Sequence, residues 1–411
     1  MDASTFSRDP QRIDPDIIEK TVELRHKLHE NAELSCKESN TRRMLIEFLR
    51  GNTSLEICEM GAWFYAAYRN GTGAGKRRIA FRADMDALPI DEGYSLAYSS
   101  LRRGVSHKCG HDGHSAGLAA FALFVDRHGC ENDVFFLFQH AEENGVGAAE
   151  CEKLIEIEKI DEIYAYHNMP GFPLRSVAVH NGTAACASTG LVLKLTGVNS
   201  HASQPENGRN PAFALASLIG EIPLLVRIAA KDGAENCDRE TETGTPGFAM
   251  SPNGIVMCTV IGCEIGSREK GGTEAFGTSA GFGRLMLTVR AQDERRLDLL
   301  TALLSDRAKL LAEEHGLAFA REERDPFPET RNDDGCAGKV RDAAARLGLE
   351  TAKWDEPFRS SEDFGRYTKL TRGALFYIGS GEAHAPLHTA GYDFPDELIE
   401  TACLMFRELA R

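Results

Sequence analysis

Positive charge is the first shortage in this chain. Lysine and arginine number 47 against 62 aspartates and glutamates, a net charge of -15 that repels phosphate backbones and anionic lipid surfaces and argues against nucleic acid and membranes as partners. Long apolar runs are also missing. The opening MDASTFSRDPQRIDPDII has no apolar core of signal-peptide length, and no run of about 18 apolar residues follows it, so a cytoplasmic location is expected. Eleven cysteines, an odd number scattered from Cys36 to Cys403, make no disulfide framework and fit a reducing compartment. Nor is there a phosphate loop in NGTGAGKRR, where Asn70 stands at the first glycine position and Arg77 where a magnesium-binding Ser or Thr belongs. That stretch reads as a hairpin turn. Cys258 and Cys263 lack the second pair of a zinc ribbon.

What is present is a folded chain of 411 residues, 42% hydrophobic and 27% charged, long enough for two cores. PDIIEKTVELRHKLHENAEL and SNTRRMLIEFLRG carry helical spacing, and His26 and His29 share a face of the first as surface groups or polar neighbours of a site. Apolar runs of strand length then alternate with helices through RRIAFRADMD, HSAGLAAFALFVDRHG, DVFFLFQHAEE and EIYAYHNMPG. Val134 to Phe138 shows no polar alternation, the pattern of a strand covered on both faces. After Ser188 the pattern changes: TGLVLKLTG and GRLMLTVRAQD alternate like strands with one wet face, beside two long helical segments. KDGAENCDRETETGTPGFAMSPNG is assigned to loop. The first pattern returns in ALFYIGSG and the closing helix DELIETACLMFRELAR. The expected architecture is α/β, with a mixed, mostly parallel sheet and helices on both faces in residues 1–186 and 327–411. An inserted α+β, ferredoxin-like domain occupies 187–326.

Ligands of open α/β sheets gather beyond the carboxyl ends of the strands. Here those ends carry Asp84 and Asp86, then Gln139, His140, Glu142 and Glu143, then His167 and Asn168, then His384 and His388. The loop SHKCGHDGHSAG adds His107, Cys109, His111, Asp112 and His114. Cys109 and His111 flank one glycine, which lets the backbone turn both side chains toward one centre. A thiolate and an imidazole suit zinc and other late divalent metals. Cys109 as a nucleophile activated by histidine is the competing reading, but it leaves the paired glutamates and His388 without a task. Of two adjacent carboxylates, one can bind a cation while the other moves protons. Asp112 is the natural partner to orient His111; His107, His128, His140 and His180 are read as structural or surface groups.

The set CGHDGH, AEE, HNMPG, PLHTAGYDF, RHKLHENAELSCKESNT, FRADMDALPI and SSEDF, spaced over nearly the whole chain, resembles the binuclear metal-dependent amidohydrolase and peptidase family of aminoacylases, hippurate hydrolases and indole-acetyl-amino-acid hydrolases. The resemblance implies two divalent ions, of zinc, manganese, cobalt or nickel, bridged by Cys109 and further held by His111, Glu143, His167 and His388. It implies Glu142 as general base, Asp86 as the carboxylate that orients a ligand or the base, and His201 of NSHASQP as a donor from an inserted lid and dimerisation domain. The implied activity is hydrolysis of N-acyl amino acids by a homodimer, with a dipeptidase or carboxypeptidase as the alternative and a non-catalytic metal-binding protein further off. Two departures stand out. Ala141 replaces the proline common before the two glutamates, and the family's Asn-x-Ile-Pro segment is not recognisable in KGGTEAFGTSAGFGRL.

Overall fold

A computed structural model describes residues 12–71, 76–231, 245–251, 254–266, 276–354 and 356–411. In chain order its main elements are α1 (Pro15–Glu30), α2 (Ser39–Asn52), β1 (Glu56–Glu59), β2 (Phe64–Tyr68), β3 (Arg78–Asp84), α3 (His111–His128), β4 (Asp133–Gln139), β5 (Glu162–Pro170) and β6 (Val177–Ala178). Then come β7 (Ala187–Thr196), α4 (Ala212–Lys231), β8 (Phe248–Ser251), β9 (Gly254–Ile265), β10 (Phe282–Ala291), α5 (Glu294–Glu314) and β11 (Ala318–Phe327). α6 (Asp334–Arg346), β12 (Arg372–Gly381) and α7 (Glu397–Leu409) close the chain. It divides into two compact units: Met1–Ala184 with Thr330–Pro357 and Asp363–Arg411, and Ala185–Glu329 with Phe358–Glu362.

The first unit holds a seven-stranded mixed sheet in the order β1-β2-β4-β3-β5-β12-β6. Its parallel pairings lie together at the centre, β4 with β3, β3 with β5 and β5 with β12, while β1, β2 and β6 pair antiparallel toward the edges. Central parallel strands must be apolar on both sides because helices cover both faces. Phe64, Phe81, Phe136, Tyr164 and Phe376 accordingly pack with α1, α3, α6 and α7 in one core. On the opposite face Phe135, Leu137, Ile163 and Leu375 are fully buried as well, where the short helices Gly147–Cys151 and Gly365–Thr368 contact β4 and β12. α7 turns Leu398, Ile399, Ala402, Met405, Phe406 and Leu409 inward, the stripe its spacing predicts.

In the second unit the sheet runs β8-β9-β10-β7-β11, antiparallel throughout. The strands and helices follow β7-α4-β9-β10-α5-β11, which is the ferredoxin-like succession with β8 added at one edge. β10 alternates buried and half-buried residues along its whole length, and its inward Leu285, Leu287 and Val289 meet α4 and α5 in a second core. Asp293 caps α5 by accepting from the Arg296 N–H, an interaction worth about 1 kcal/mol.

Two sequence expectations change, and a third, the lack of an unbroken run of about 18 apolar residues, stands. NGTGAGKRR joins no hairpin, because β4 lies between β2 and β3 and pairs with both; residues 72–75 lie outside the described residues. Phe248–Ser251, expected in a loop, is a strand whose backbone groups find partners in Gly254–Met257. Its turn-rich flanks hid it; residues 232–244 and 252–253 are outside the described set, as are 1–11 of the N-terminal stretch and 267–275 of KGGTEAFGTSAGFGRL. Finally, α4 is, among the described residues, the one helix long and apolar enough to cross a membrane. Ser217, Glu221, Pro223 and Arg227 break its apolar run. Its Ala214, Leu215, Leu218, Ile222 and Val226 are spent in the second core, and Glu221 is paired with Arg307.

Candidate metal centre

Sheet topology brings the ends of β3, β4, β5 and β12 side by side, and the N-terminus of α3 closes over them. Gly110 caps α3 with φ +97°, a left-handed backbone that glycine alone adopts freely. A side chain there would run into Asn168. The turn aims Cys109 and His111, both buried, at the strand ends. His388 sits at φ +59°, and its N–H donates to the Lys108 carbonyl at 2.8 Å, which ties the last loop to the same turn.

Cys109 Sγ is 3.3 Å from His167 Nε2 and 3.3 Å from His388 Nε2. Glu143 Oε1 is 3.7 Å from His111 Nε2 and 3.7 Å from His388 Nε2. The His167 Nδ1–H donates to the Asn168 carbonyl at 2.7 Å, leaving Nε2 to present its lone pair to the centre. His111 does likewise: its Nδ1 meets Asp86 Oδ1 at 3.1 Å, so Nε2 faces inward. His111 Nε2 and Glu143 Oε1 are buried and make no hydrogen bond among the described residues, an arrangement that costs free energy unless something electropositive lies between them. Ligand atoms of Cys109, His111 and His167 come within 4.8 Å of one another, as do those of Cys109, Glu143 and His388 and those of His111, Glu142 and Glu143. Sulfur, imidazole and carboxylate at this spacing fit late divalent cations.

Electrostatics point the same way. Burial, opposed by His111 and reinforced by Asp86, pushes the Glu143 carboxyl up to about 7. Burial would lower His111, but Asp84 and Asp86 carry it up to about 10, and burial holds His167 well below the ordinary histidine range. Ligation requires neutral imidazole and ionised carboxylate, so cation uptake here releases protons.

Around this ring the buried carboxylates do separate jobs. Asp86 also accepts from the Glu143 N–H at 3.0 Å and from Ser35 Oγ at 2.7 Å, bracing His111 and the second glutamate together. Asp112 does not orient His111. One residue further along α3 it faces α1, where its Oδ2 meets His29 Nδ1 at 2.8 Å and Arg25 Nη1 at 3.2 Å. His29 is thus fully buried rather than a surface group, and its Nε2 meets Glu92 at 2.8 Å. His114 has both ring nitrogens engaged, by Asp84 and by Asn168, each at 2.6 Å. His384 meets the Asp393 carbonyl and His128 meets Asp14; buried His107 and His140 lie outside the ring of ligand atoms. His201 belongs to the second unit, exposed on a two-residue strand, with Nδ1 at 2.7 Å from Ser203 Oγ. Glu142 is buried beside Glu143, and its Oε1 accepts the Asp363 N–H at 3.4 Å. The sequence reading missed Arg82, Lys108 and Arg25, three buried cations whose acidic partners are mostly distant in the chain.

The chain resembles known proteins over nearly its whole length. Hippurate hydrolase of Campylobacter jejuni is 26% identical over 404 residues, 96% of this chain and 98% of the relative. N-acetyl-L-cysteine deacetylase of Bacillus subtilis is 27% identical over 100% of this chain and 92% of its own length, and N-acetyldiaminopimelate deacetylase of Lacticaseibacillus casei is 25% identical over 92% and 93%. A dinuclear metal-binding peptidase of the M20 family from Bacillus subtilis has the same fold, with a TM-score of 0.76 at 22% identity over 97% of this chain and 98% of that one. An aminobenzoyl-glutamate utilisation protein of Klebsiella pneumoniae matches with a TM-score of 0.69 at 17% identity, covering 96% of each chain. The model of peptidase family M20/M25/M40 matches residues 80–411, and the chain belongs to that family.

Proposed function

We propose that the protein is a divalent-metal amidohydrolase that splits N-acyl amino acids into an amino acid and a carboxylate. The observation that carries this reading is a buried carboxylate, Glu142, whose ligand atom lies within 4.8 Å of those of His111 and Glu143 while its Oε1 accepts the Asp363 N–H. In this reading Cys109, His111, Glu143, His167 and His388 hold two ions. When bound, such ions supply Lewis-acid polarisation of a carbonyl and bring the pKa of water to about 7. Glu142 takes the proton of the attacking water and delivers it to the nitrogen as the C–N bond breaks, because an amide cannot leave as an anion. Asp86 keeps His111 in one tautomer. His201 is assigned a donor role toward the oxyanion on the resemblance alone.

The names of the curated relatives, a hippurate hydrolase and two deacetylases of N-acetylated amino acids, support acylated substrates. Zinc, manganese, cobalt and nickel remain the candidate metals by ligand chemistry. Ten free cysteines among the described residues support a reducing, cytoplasmic setting. A homodimer is supported by β9: β8 pairs only with Gly254–Met257, so beyond that point one edge of β9 has no strand partner among the described residues. Val260, Ile261 and Ile265 are exposed there. An apolar unpaired edge invites a second strand.

The test is release of free amine from a panel of N-acetyl and N-benzoyl amino acids and dipeptides by metal-reconstituted protein. Turnover of the acyl amino acids that a chelator abolishes and divalent metal restores is expected. Release from dipeptides alone would move the assignment to a peptidase, and turnover indifferent to chelator but stopped by thiol alkylation would restore the Cys109 nucleophile.

A further inference from the structure

One buried guanidinium sits behind the candidate base and joins it to the opposite side of the centre. Arg82, 2% exposed, lies near the end of β3. Its Nε donates to Gln139 Oε1 at 2.8 Å, Nη1 to Asp84 Oδ2 at 2.5 Å and Nη2 to Asp363 Oδ1 at 2.8 Å. The Asp363 carboxylate is gripped from its other side as well: Oδ2 accepts Gln139 Nε2 at 2.7 Å and the Ala148 N–H at 2.9 Å. Gln139 in turn accepts the Tyr367 hydroxyl at 2.7 Å. Every one of these side chains is buried. The outcome of so many fixed contacts is the position of one backbone N–H, that of Asp363, which points at Glu142 Oε1.

A planar fork with five donors can hold three acceptors in fixed directions; an ammonium cannot. Asp363 is 281 residues from Arg82 in the chain, so the contact pins the loop entering Gly365–Thr368 onto the end of the central strands. A carboxylate that shares one oxygen with a fixed N–H has fewer rotamers open to it, and a displacement of about 1 Å costs on the order of a hundredfold in rate.

We propose that Arg82 and Asp363 are positioning residues for Glu142, Arg82 acting through Asp363 to orient the carboxylate; this rests on the reading of Glu142 as the base. Neither touches the reacting atoms. The experiment compares Arg82→Met, Arg82→Lys, Asp363→Asn and Glu142→Gln, and the double variant of Arg82→Met with Glu142→Gln, in metal-loaded protein. Readouts are kcat, KM for an N-acyl amino acid, and metal content per chain by elemental analysis. Arg82→Met and Asp363→Asn are expected to lower kcat by about ten- to a hundredfold with KM and metal content unchanged, with Arg82→Lys in between. In the Glu142→Gln background, Arg82→Met should remove less than about twofold more of the residual kcat, because both act through one step.

Wild-type kcat in Arg82→Lys and Asp363→Asn beside an inactive Glu142→Gln would overturn the inference and leave the base standing. Losses that fall on KM or metal content, or that multiply with Glu142→Gln, would also overturn it, the metal loss pointing to the Asp84 branch. Full turnover in Glu142→Gln overturns the base and this inference with it. Should Arg82→Met fail to fold, Arg82→Lys paired with Glu142→Gln makes the same comparison.

Discussion

At the scale of single residues, backbone and charge set the site before any metal arrives. Gly110 at φ +97° abuts Asn168, so Gly110→Ala is expected to lower unfolding free energy by about 1–3 kcal/mol and to weaken divalent affinity on the order of tenfold. Denaturant melts and metal titration calorimetry check both; an unchanged affinity would mean that Cys109 and His111 do not depend on the turn. His29 offers a pH test away from the ligands. Burial lowers its pKa, but the hydrogen bonds it donates to Asp112 and Glu92 outweigh that and carry it up to about 9, above its ordinary 6.5. A raised folded-state pKa stabilises fully below the unfolded value and fades as pH climbs through the folded one. The stability gap between wild type and His29→Gln should therefore narrow from about pH 6 to about pH 9.5 in urea melts. A constant gap would contradict the charged His29.

At the scale of elements, the sequence was most legible where one residue type had one job. The uninterrupted apolar run of β4, the alternation of β10 and the stripe of α7 each report what covers them, and four strand ends announced the centre because glutamates and histidines there have few structural uses. Legibility failed where partners lie far apart. Nothing near Arg82 in the chain signals Asp363, and nothing near Asp112 signals α1, since a helix turns successive side chains about 100° apart. Composition also hid β8, a four-residue strand flanked by turn formers. The exposed edge of β9 belongs to this scale too: Ile261, 61% exposed, changed to lysine should reduce self-association without altering the first unit. Sedimentation velocity is expected to show the proposed dimer shifting to monomer; a wild type that already sediments as a monomer would contradict the dimer, and an unaffected dimer would place the interface elsewhere.

At the scale of the whole molecule, residues from Asp86 to His388 contribute to one centre, and the fold is shared with the dinuclear metal-binding peptidase at 22% identity, with a TM-score of 0.76. A centre assembled from so many segments should be lost as a unit when the first unit unfolds, so divalent metal is expected to raise its melting temperature, by the linkage of binding to folding. The most direct measurement is anomalous diffraction from a crystal grown with manganese or zinc, recorded at the metal edge. The account predicts two peaks bounded by Cys109, His111, Glu143, His167 and His388, with Glu142 beside them and not ligating. Peaks bound elsewhere, or none at these side chains, would contradict it.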